Sequence, residues 1–386
     1  MPGNGKIMGC LAAAALLLAG CTVKQVKPGT ATGPRYAPVD WSTLPPASDP
    51  DLVAGFTAWR AGCGRLAKDP IWAGTCQTAA TTAMRADAIR AFLRANTDVY
   101  ALGTAEGRDG LITGYYEPVY AGSLTRTAQA SVPVYAVPDD LIVVKLDDIY
   151  PELKGKRLRG KLVGRTLVPY DDAATIANGS SARVLAWLTD PMDLQFLQIQ
   201  GSGRIRLAGG QQLRLGYADQ NGRPYRAIGR WLVDQGELKP ADVSMQSIRA
   251  WAKSHPTRVK EMLASNPSYV FLERQPDSDA GPKGSLAVPL TAGYSIAVDR
   301  RAIPLGSLVW LSTTTPEGAP LVRPVAAQDT GGAIAGTVRA DLFTGTGDAA
   351  GDLAGHMKQA GRLWMLWPKG VALPSTDRDA SPSALP

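Results

Sequence analysis

A mainly β architecture is what this sequence predicts, and three observations carry it. Glycine (41) and proline (29) together make about 18% of the 386 residues, a turn-rich composition. Most apolar runs are short and end at Gly, Pro or Asp-Asp breaks, as strands do. Helical spacing of apolar residues surfaces in only a few stretches. The length allows one large or two modest domains with a buried core. An apolar fraction of 45% and a charged fraction of 19% exclude wholesale disorder. The net charge of +7 is dispersed, whereas nucleic-acid binding would need a basic stripe, so no nucleic-acid partner is expected. Two histidines leave little room for a zinc site or a His-dependent hydrolase, and no metal or cofactor is expected.

The N-terminus speaks to compartment. Lys6 precedes an apolar run from Ile7 to Ala19, too short to span a bilayer and proportioned like a signal core. It ends Leu18-Ala19-Gly20-Cys21, which resembles the lipobox of bacterial lipoproteins. That resemblance implies a signal peptide over 1–20, acylation of Cys21 and, with Thr22 rather than an Asp following, an outer-membrane lipoprotein facing the periplasm. Cys63 and Cys76 remain, and in an oxidising compartment they most simply pair, two separate buried thiols being the alternative. Such a loop closure contributes about 3 kcal/mol in the chain-entropy model.

Along the chain, 21–50 is rich in Pro, Thr, Ser and Gly and reads as a tether. Gln77–Asn96 carries Ala83, Ile89, Phe92 and Leu93 at helical spacing and reads as one helix. Short β-like runs follow at 111–116, 132–136, 162–168, 196–200, 204–207 and 212–217. Ser244 is a candidate cap for a helix over 245–254, and Pro256 opens another that Asn266-Pro267 ends. Strands return at 269–273, 294–298, 308–311, 321–327 and 363–367, with a short helix capped by Asp348 before the last. The basic Lys154–Arg165 stretch reads as a solvated strand pair or loop, contact with an anionic polymer being the alternative.

The residues with chemical promise lie late in the chain. Asp329 follows an apolar strand and precedes Thr330-Gly331-Gly332, whose bare backbone a ligand can approach. Asp341 sits between Ala340 and Leu342-Phe343, a setting that favours burial and a raised pKa. Asp299 is a third carboxylate at a strand end, just before Ile303-Pro304-Leu305-Gly306. Taken singly, each is as easily a turn former or a helix cap.

Together these segments resemble the three-Asp (3D) module of the membrane-bound lytic murein transglycosylase A (MltA) family. Further matches follow in family order: Thr113-Gly114-Tyr115-Tyr116-Glu117-Pro118, Phe196-Leu197-Gln198-Ile199-Gln200-Gly201-Ser202-Gly203, Ser244-Met245-Gln246-Ser247-Ile248-Arg249 and Asn266-Pro267-Ser268-Tyr269-Val270-Phe271. The resemblance implies a double-psi β-barrel over 51–120 and 272–375, an inserted β domain over 121–271, and a tail over 376–386. It also implies a lyase that cuts the β-1,4 bond between N-acetylmuramic acid and N-acetylglucosamine of peptidoglycan glycan strands and leaves 1,6-anhydromuramoyl ends. Asp341 then maps onto the single catalytic acid, with Asp329 in support. Tyr115 and Tyr116 offer aromatic faces for a sugar, although strand alternation could turn one inward. Gln198, Gln200, Gly201, Ser202, Arg204, Asp299, Gly331 and Gly332 offer polar or backbone contacts, Gln198 and Gln200 on one face of a strand. No motif identifies a cell-wall synthase or scaffold as a partner.

Rival readings are weaker. Asp329-Thr330-Gly331 matches an aspartic-protease signature, but that mechanism needs a second such motif and the chain has one. A non-catalytic peptidoglycan-binding lipoprotein on the same barrel is the alternative that the residues leave open.

Overall fold

Two sheets of different character share the chain, and a third, smaller one hangs from the second. The computed structural model describes residues 35–374, apart from 105, 106, 154, 155 and 157. The expected signal peptide, Cys21 and the C-terminal tail lie outside the described residues.

The first part holds β1 (Arg35–Val39), helices α1 (Asp49–Ala61), α2 (Cys63–Leu66), α3 (Ala73–Ala80) and α4 (Ala86–Asn96), then β2 (Thr97–Gly103) and β3 (Gly110–Glu117). The middle begins with β4 (Val119–Ser123), β5 (Val132–Tyr135), β6 (Ile142–Val144), β7 (Leu158–Val163) and β8 (Thr166–Pro169). It continues through α5 (Ala173–Ala177), β9 (Val184–Leu188), α6 (Pro191–Gln200), β10 (Ser202–Arg206) and β11 (Gln212–Gln220). Helices α7 (Ile228–Asp234), α8 (Met245–Ser254) and α9 (Val259–Ala264) and strand β12 (Val270–Arg274) complete it. The last part holds β13 (Ser295–Val298), β14 (Leu308–Thr314), β15 (Pro320–Asp329), β16 (Arg339–Thr346), α10 (Asp348–His356) and β17 (Lys358–Pro368).

The large sheet runs β17-β14-β15-β13-β16-β3, and β3 pairs back onto β17 through Gly110–Thr113. Six strands therefore close into a ring without free edges. At the seam, a Cβ on Gly110 would fall 1.8 Å from the Val338 carbonyl oxygen, so only glycine fits there. Strands β2 and β1 extend the sheet from β17. Helices α1 and α4 cover it, with Phe56, Trp59, Trp72, Phe92 and Trp367 in one buried aromatic cluster. Buried Gln328 fastens α1 to the ring, donating to the Ala58 carbonyl at 2.7 Å while accepting from Ser295 at 2.6 Å. The second sheet is β12-β11-β10-β4-β9-β5, backed by a separate core around Leu185, Leu197, Ile205 and Leu272.

Several expectations need correction. The tether is shorter than expected: β1 pairs with β2, and Ser48 caps α1 by accepting from the Asp51 amide. The single helix over 77–96 is two, because Thr81 and Thr82 turn their hydroxyls back onto the Thr78 carbonyl and end α3. The run 162–168 crosses a hairpin turn at Gly164-Arg165. Residues 196–200 are helical, not extended. Asp190 caps α6, Pro191 stands at its first position, and Gly201 ends it with φ of 74°. Asp348 is the first residue of α10, whose cap position is Gly347. The expected pairing of Cys63 with Cys76 holds: the two are disulfide-bonded and join α2 to α3.

The chain passes from ring to second sheet between Glu117 and Val119, and a buried ion pair sits there. Arg204 Nε donates to Glu117 Oε2 at 2.8 Å, and the Thr346 hydroxyl donates to the same oxygen at 2.9 Å. Glu117 is 1% exposed. Arg204→Met leaves that carboxylate buried with its main partner gone and should lower unfolding free energy by about 3–5 kcal/mol. Urea denaturation measures this, and Glu117→Gln combined with Arg204→Met should recover part of the loss.

Candidate active site

The site is built where β16 and β3 run parallel. Their register sets Asp341 beside Thr113 and Phe343 beside Tyr115. Strand alternation sends Ile112, Ala340 and Leu342 into the barrel core, which leaves Thr113, Tyr115, Asp341 and Phe343 on the opposite face. There Asp341 is half-buried, and the Thr113 hydroxyl donates to its Oδ1. Its Oδ2 has no hydrogen-bond partner among the described residues. Burial pushes the Asp341 carboxyl above the ordinary range, Thr113 and the Arg339 charge draw it partly back, and Asp329 adds to the rise.

Asp329 ends β15 nearby and is held very differently. Its Oδ1 accepts from the Ser285 amide, the Ser285 hydroxyl and the Thr330 amide, each at 2.9 Å. Its Oδ2 accepts from the Tyr115 hydroxyl at 2.9 Å. Burial again pushes the carboxyl up, with these four donors opposing. The Tyr115 hydroxyl, raised well above its usual pKa by burial and by Asp329, stays a proton donor in that contact.

The other expected site residues scatter. Tyr115 spends its hydroxyl on Asp329 and its ring lies 5.4 Å from that of Phe343. Tyr116 faces the other way: it is 6% exposed, against Gly351 and Ala354 of α10, and so offers no open face to a sugar. Gln198 and Gln200, two apart on a helix, do not share a face. Gln198 donates to the Val270 carbonyl, whereas Gln200 accepts from the Tyr116 amide at 3.1 Å and so touches the site strand. Gly201 and Ser202 follow as helix terminus and strand start, both half-buried. Arg204 is committed to Glu117 and to the Ala280 carbonyl inside the protein. Asp299 is buried and gripped by the Arg301 guanidinium through both oxygens, and it also accepts from the Gly336 amide at 3.0 Å. Burial pushes its carboxyl up, but these donors outweigh it and bring the pKa below the ordinary value. Gly331 and Gly332 lie exposed in the loop after Asp329.

Two contributors escaped the sequence reading. Thr113 was legible in principle, since it lies two residues before Tyr115 on the same strand and must share its face. Ser285 was not, because it approaches Asp329 from a loop 44 residues away with no local signal.

Comparison with known proteins decides the family. The MltA specific insert domain model matches residues 111–273, and the 3D domain model matches 294–367. The crystal structure of MltA from Neisseria gonorrhoeae superposes with a TM-score of 0.78 at 35% identity, covering 88% of this chain and 94% of that one. The chain belongs to the MltA family. Escherichia coli membrane-bound lytic murein transglycosylase A is 36% identical over 262 residues, 66% of this chain and 64% of that protein. The chain thus spans a little under two thirds of the length of this curated MltA relative. Escherichia coli MltA with bound chitohexaose matches with a TM-score of 0.67 at 28% identity, over 88% of this chain and 96% of that one.

Folding raises the Asp341 pKa, so the folded chain holds that proton more tightly than the unfolded chain. The stability this contributes is complete at low pH and is lost as pH rises through the folded pKa. Uncharged Asp341→Asn should therefore melt at a higher temperature than the parent at pH 8, with the gap closing below about pH 4. Thermal scans across that range provide the check.

Proposed function

We propose that this MltA-family chain is a lytic transglycosylase acting on peptidoglycan glycan strands, with Asp341 as its one acid and base. The observation that carries the reading is the unequal load on the two aspartates. Asp341 accepts one hydrogen bond and keeps Oδ2 free for a proton, while Asp329 is saturated with four. The saccharide held by a solved relative, chitohexaose in Escherichia coli MltA, supports a β-1,4-linked glycan as ligand. The closed six-stranded ring fits the double-psi barrel expected for 51–120 and 272–375, with 121–271 inserted.

An ordinary glycosidase uses two carboxyl groups, one as acid and one as nucleophile or base. Anhydro-ring formation needs neither an outside water nor an enzyme nucleophile, because the muramoyl C6 hydroxyl attacks C1. Protonated Asp341 gives its proton to the departing glycosidic oxygen as the C1–O bond breaks. The resulting carboxylate then takes the proton of the C6 hydroxyl as the new C1–O6 bond closes. A raised pKa enlarges the protonated fraction of Asp341 available for the first half. Asp329, fixed as an acceptor, contributes negative potential to the oxocarbenium-like state. Gly331 and Gly332 supply backbone within reach of the sugar. Membrane attachment through acylated Cys21, at the outer membrane and facing the periplasm, follows from the lipobox and agrees with the membrane-bound name of the relatives.

Muropeptide analysis of digested sacculi tests the activity. Anhydromuramoyl ends are expected; reducing ends would mean a hydrolase, and no release would mean a glycan-binding protein. Asp341→Asn should lose about 10²–10⁴-fold in turnover while still sedimenting with sacculi. Thr113→Val removes a donor that favours the carboxylate and so raises the Asp341 pKa further. Because the reaction needs the protonated form, its decline toward alkaline pH should move to higher pH in that variant. Initial rates from pH 4 to 9 show the shift.

A further inference from the structure

Strands β6, β7 and β8 form a small antiparallel sheet whose two faces are inverted relative to the usual pattern. The register places Arg159 and Lys161 on one face. Arg159 grips both oxygens of Asp219 on β11 at 3.0 and 3.1 Å, and Lys161 bonds Asp171 at 2.6 Å, so the charged face is turned toward the body. The opposite face carries Ile142, Val144, Leu158, Leu162, Leu167 and Pro169, every one half-buried or exposed. None of these side chains joins the protein's buried hydrophobic clusters. Of fourteen large apolar side chains exposed among the described residues, eight fall between Val137 and Leu167; Leu162 and Leu167 lie on this face, and Val143 and Val163 on the other. Ile149 (71%), Leu162 (59%) and Val163 (58%) lead them. A sheet that pairs its charges inward and turns its apolar side to water is built to be covered by something.

We propose that the β7–β8 hairpin inserts its tip into an anionic phospholipid surface, as a second membrane contact beside the acylated N-terminus. Leu162, Val163 and Leu167 flank the Gly164-Arg165 turn, and Arg165 is exposed without an ion-pair partner among the described residues. Asp147, Asp148 and Glu152 lie on the β6–β7 connection at the other end of the sheet, whereas Asp139 and Asp140 precede β6 at the near end, Asp140 accepting from the Tyr170 hydroxyl. The hairpin tip itself, residues 162–167, is apolar with one cation, which suits acyl chains beneath phosphate headgroups. Size argues against a second copy of the chain. Three strands about 4.8 Å apart and at most six residues long present roughly 300 Å², whereas a stable protein interface takes about 800 Å² per partner. Reach is satisfied, because the 14 residues from Cys21 to Arg35 extend at most about 50 Å. With acyl chains supplying attachment, a weak contact suffices to orient the body, since tethering raises its effective concentration.

The inference rests on the acylation reading for proximity to a bilayer, and the two are tested apart. Mass analysis of the N-terminal peptide reports whether Cys21 is acylated. For the hairpin, the full chain is reconstituted in phosphatidylethanolamine–phosphatidylglycerol vesicles with an environment-sensitive dye on Leu162→Cys or, as control, on Glu317→Cys at a ring turn. The dye at 162 should shift to the blue and be quenched by nitroxide-bearing lipid, while the dye at 317 stays in water. A dye at 162 that remains aqueous overturns the proposal. So does a blue shift that grows with protein density and ignores the nitroxide lipid, which would make the face a protein interface. Quenching at 162 in a chain lacking acyl groups would leave the hairpin proposal standing and remove the anchor.

Discussion

Setting Asp341 beside Thr113 requires two strands 228 residues apart in sequence to meet in one register. A slip of a single residue would send Asp341 into the barrel core and Ala340 or Leu342 out in its place. Closure of the ring prevents that slip, because β16 is held on its other side by β13 and β3 is held by β17. Position 114 adds a steric limit: a Cβ there would meet the Ala354 Cα at 2.8 Å, so helix α10 can lie against β3 only above glycine. The half-buried carboxyl and its raised pKa are thus consequences of sheet geometry more than of the residues adjacent in sequence.

The second sheet reaches this arrangement through both of its connections. On the outward path, β3 leaves the ring at Glu117, whose buried carboxylate holds Arg204 of β10. On the return path, Arg204 and its cross-strand neighbour Arg214 both donate to the Ala280 carbonyl, and Arg214 also holds those of Pro276 and Gly281. Two like charges side by side on adjacent strands would repel, but one carboxylate and three carbonyls accept from both guanidinium groups, the Arg214 Nε alone going without a partner among the described residues. The loop so gripped continues to Ser285, which supplies two of the four hydrogen bonds on Asp329.

Much of the ring was legible because five of its strands are short apolar runs between turn residues; β16, the strand that carries Asp341, was not among those expected. What failed had identifiable causes. Residues 196–200 alternate well enough to pass for a strand, yet Asp190-Pro191 and Gly201 are start and stop signals ten residues apart, and local caps outweighed the apparent period. Tyr115 and Tyr116 are chemically alike; only alternation decides that one meets Asp329 and the other is sealed under α10. Arg204 and Asp299 read as polar contacts for the glycan once the family resemblance was mapped onto them. In the fold each is a buried tie, because a charged group gathered into the interior must take a partner with it.

The two aspartates at the site also show why burial by itself does not pick out a proton donor. Both carboxyls are pushed upward by loss of water, and the Asp329 charge adds to the rise at Asp341. Hydrogen bonds break the tie. Every donor aimed at Asp329 favours its ionised form, so a proton added there would weaken four contacts, three of them on Oδ1. At Asp341 one oxygen is fixed by Thr113 and the other is unclaimed, so the proton has a place to sit and a direction in which to leave. When two like charges compete for one proton, it settles on the group with fewer donors to lose, and in the proposed reaction that asymmetry lets one carboxyl give and take in turn while its neighbour stays charged.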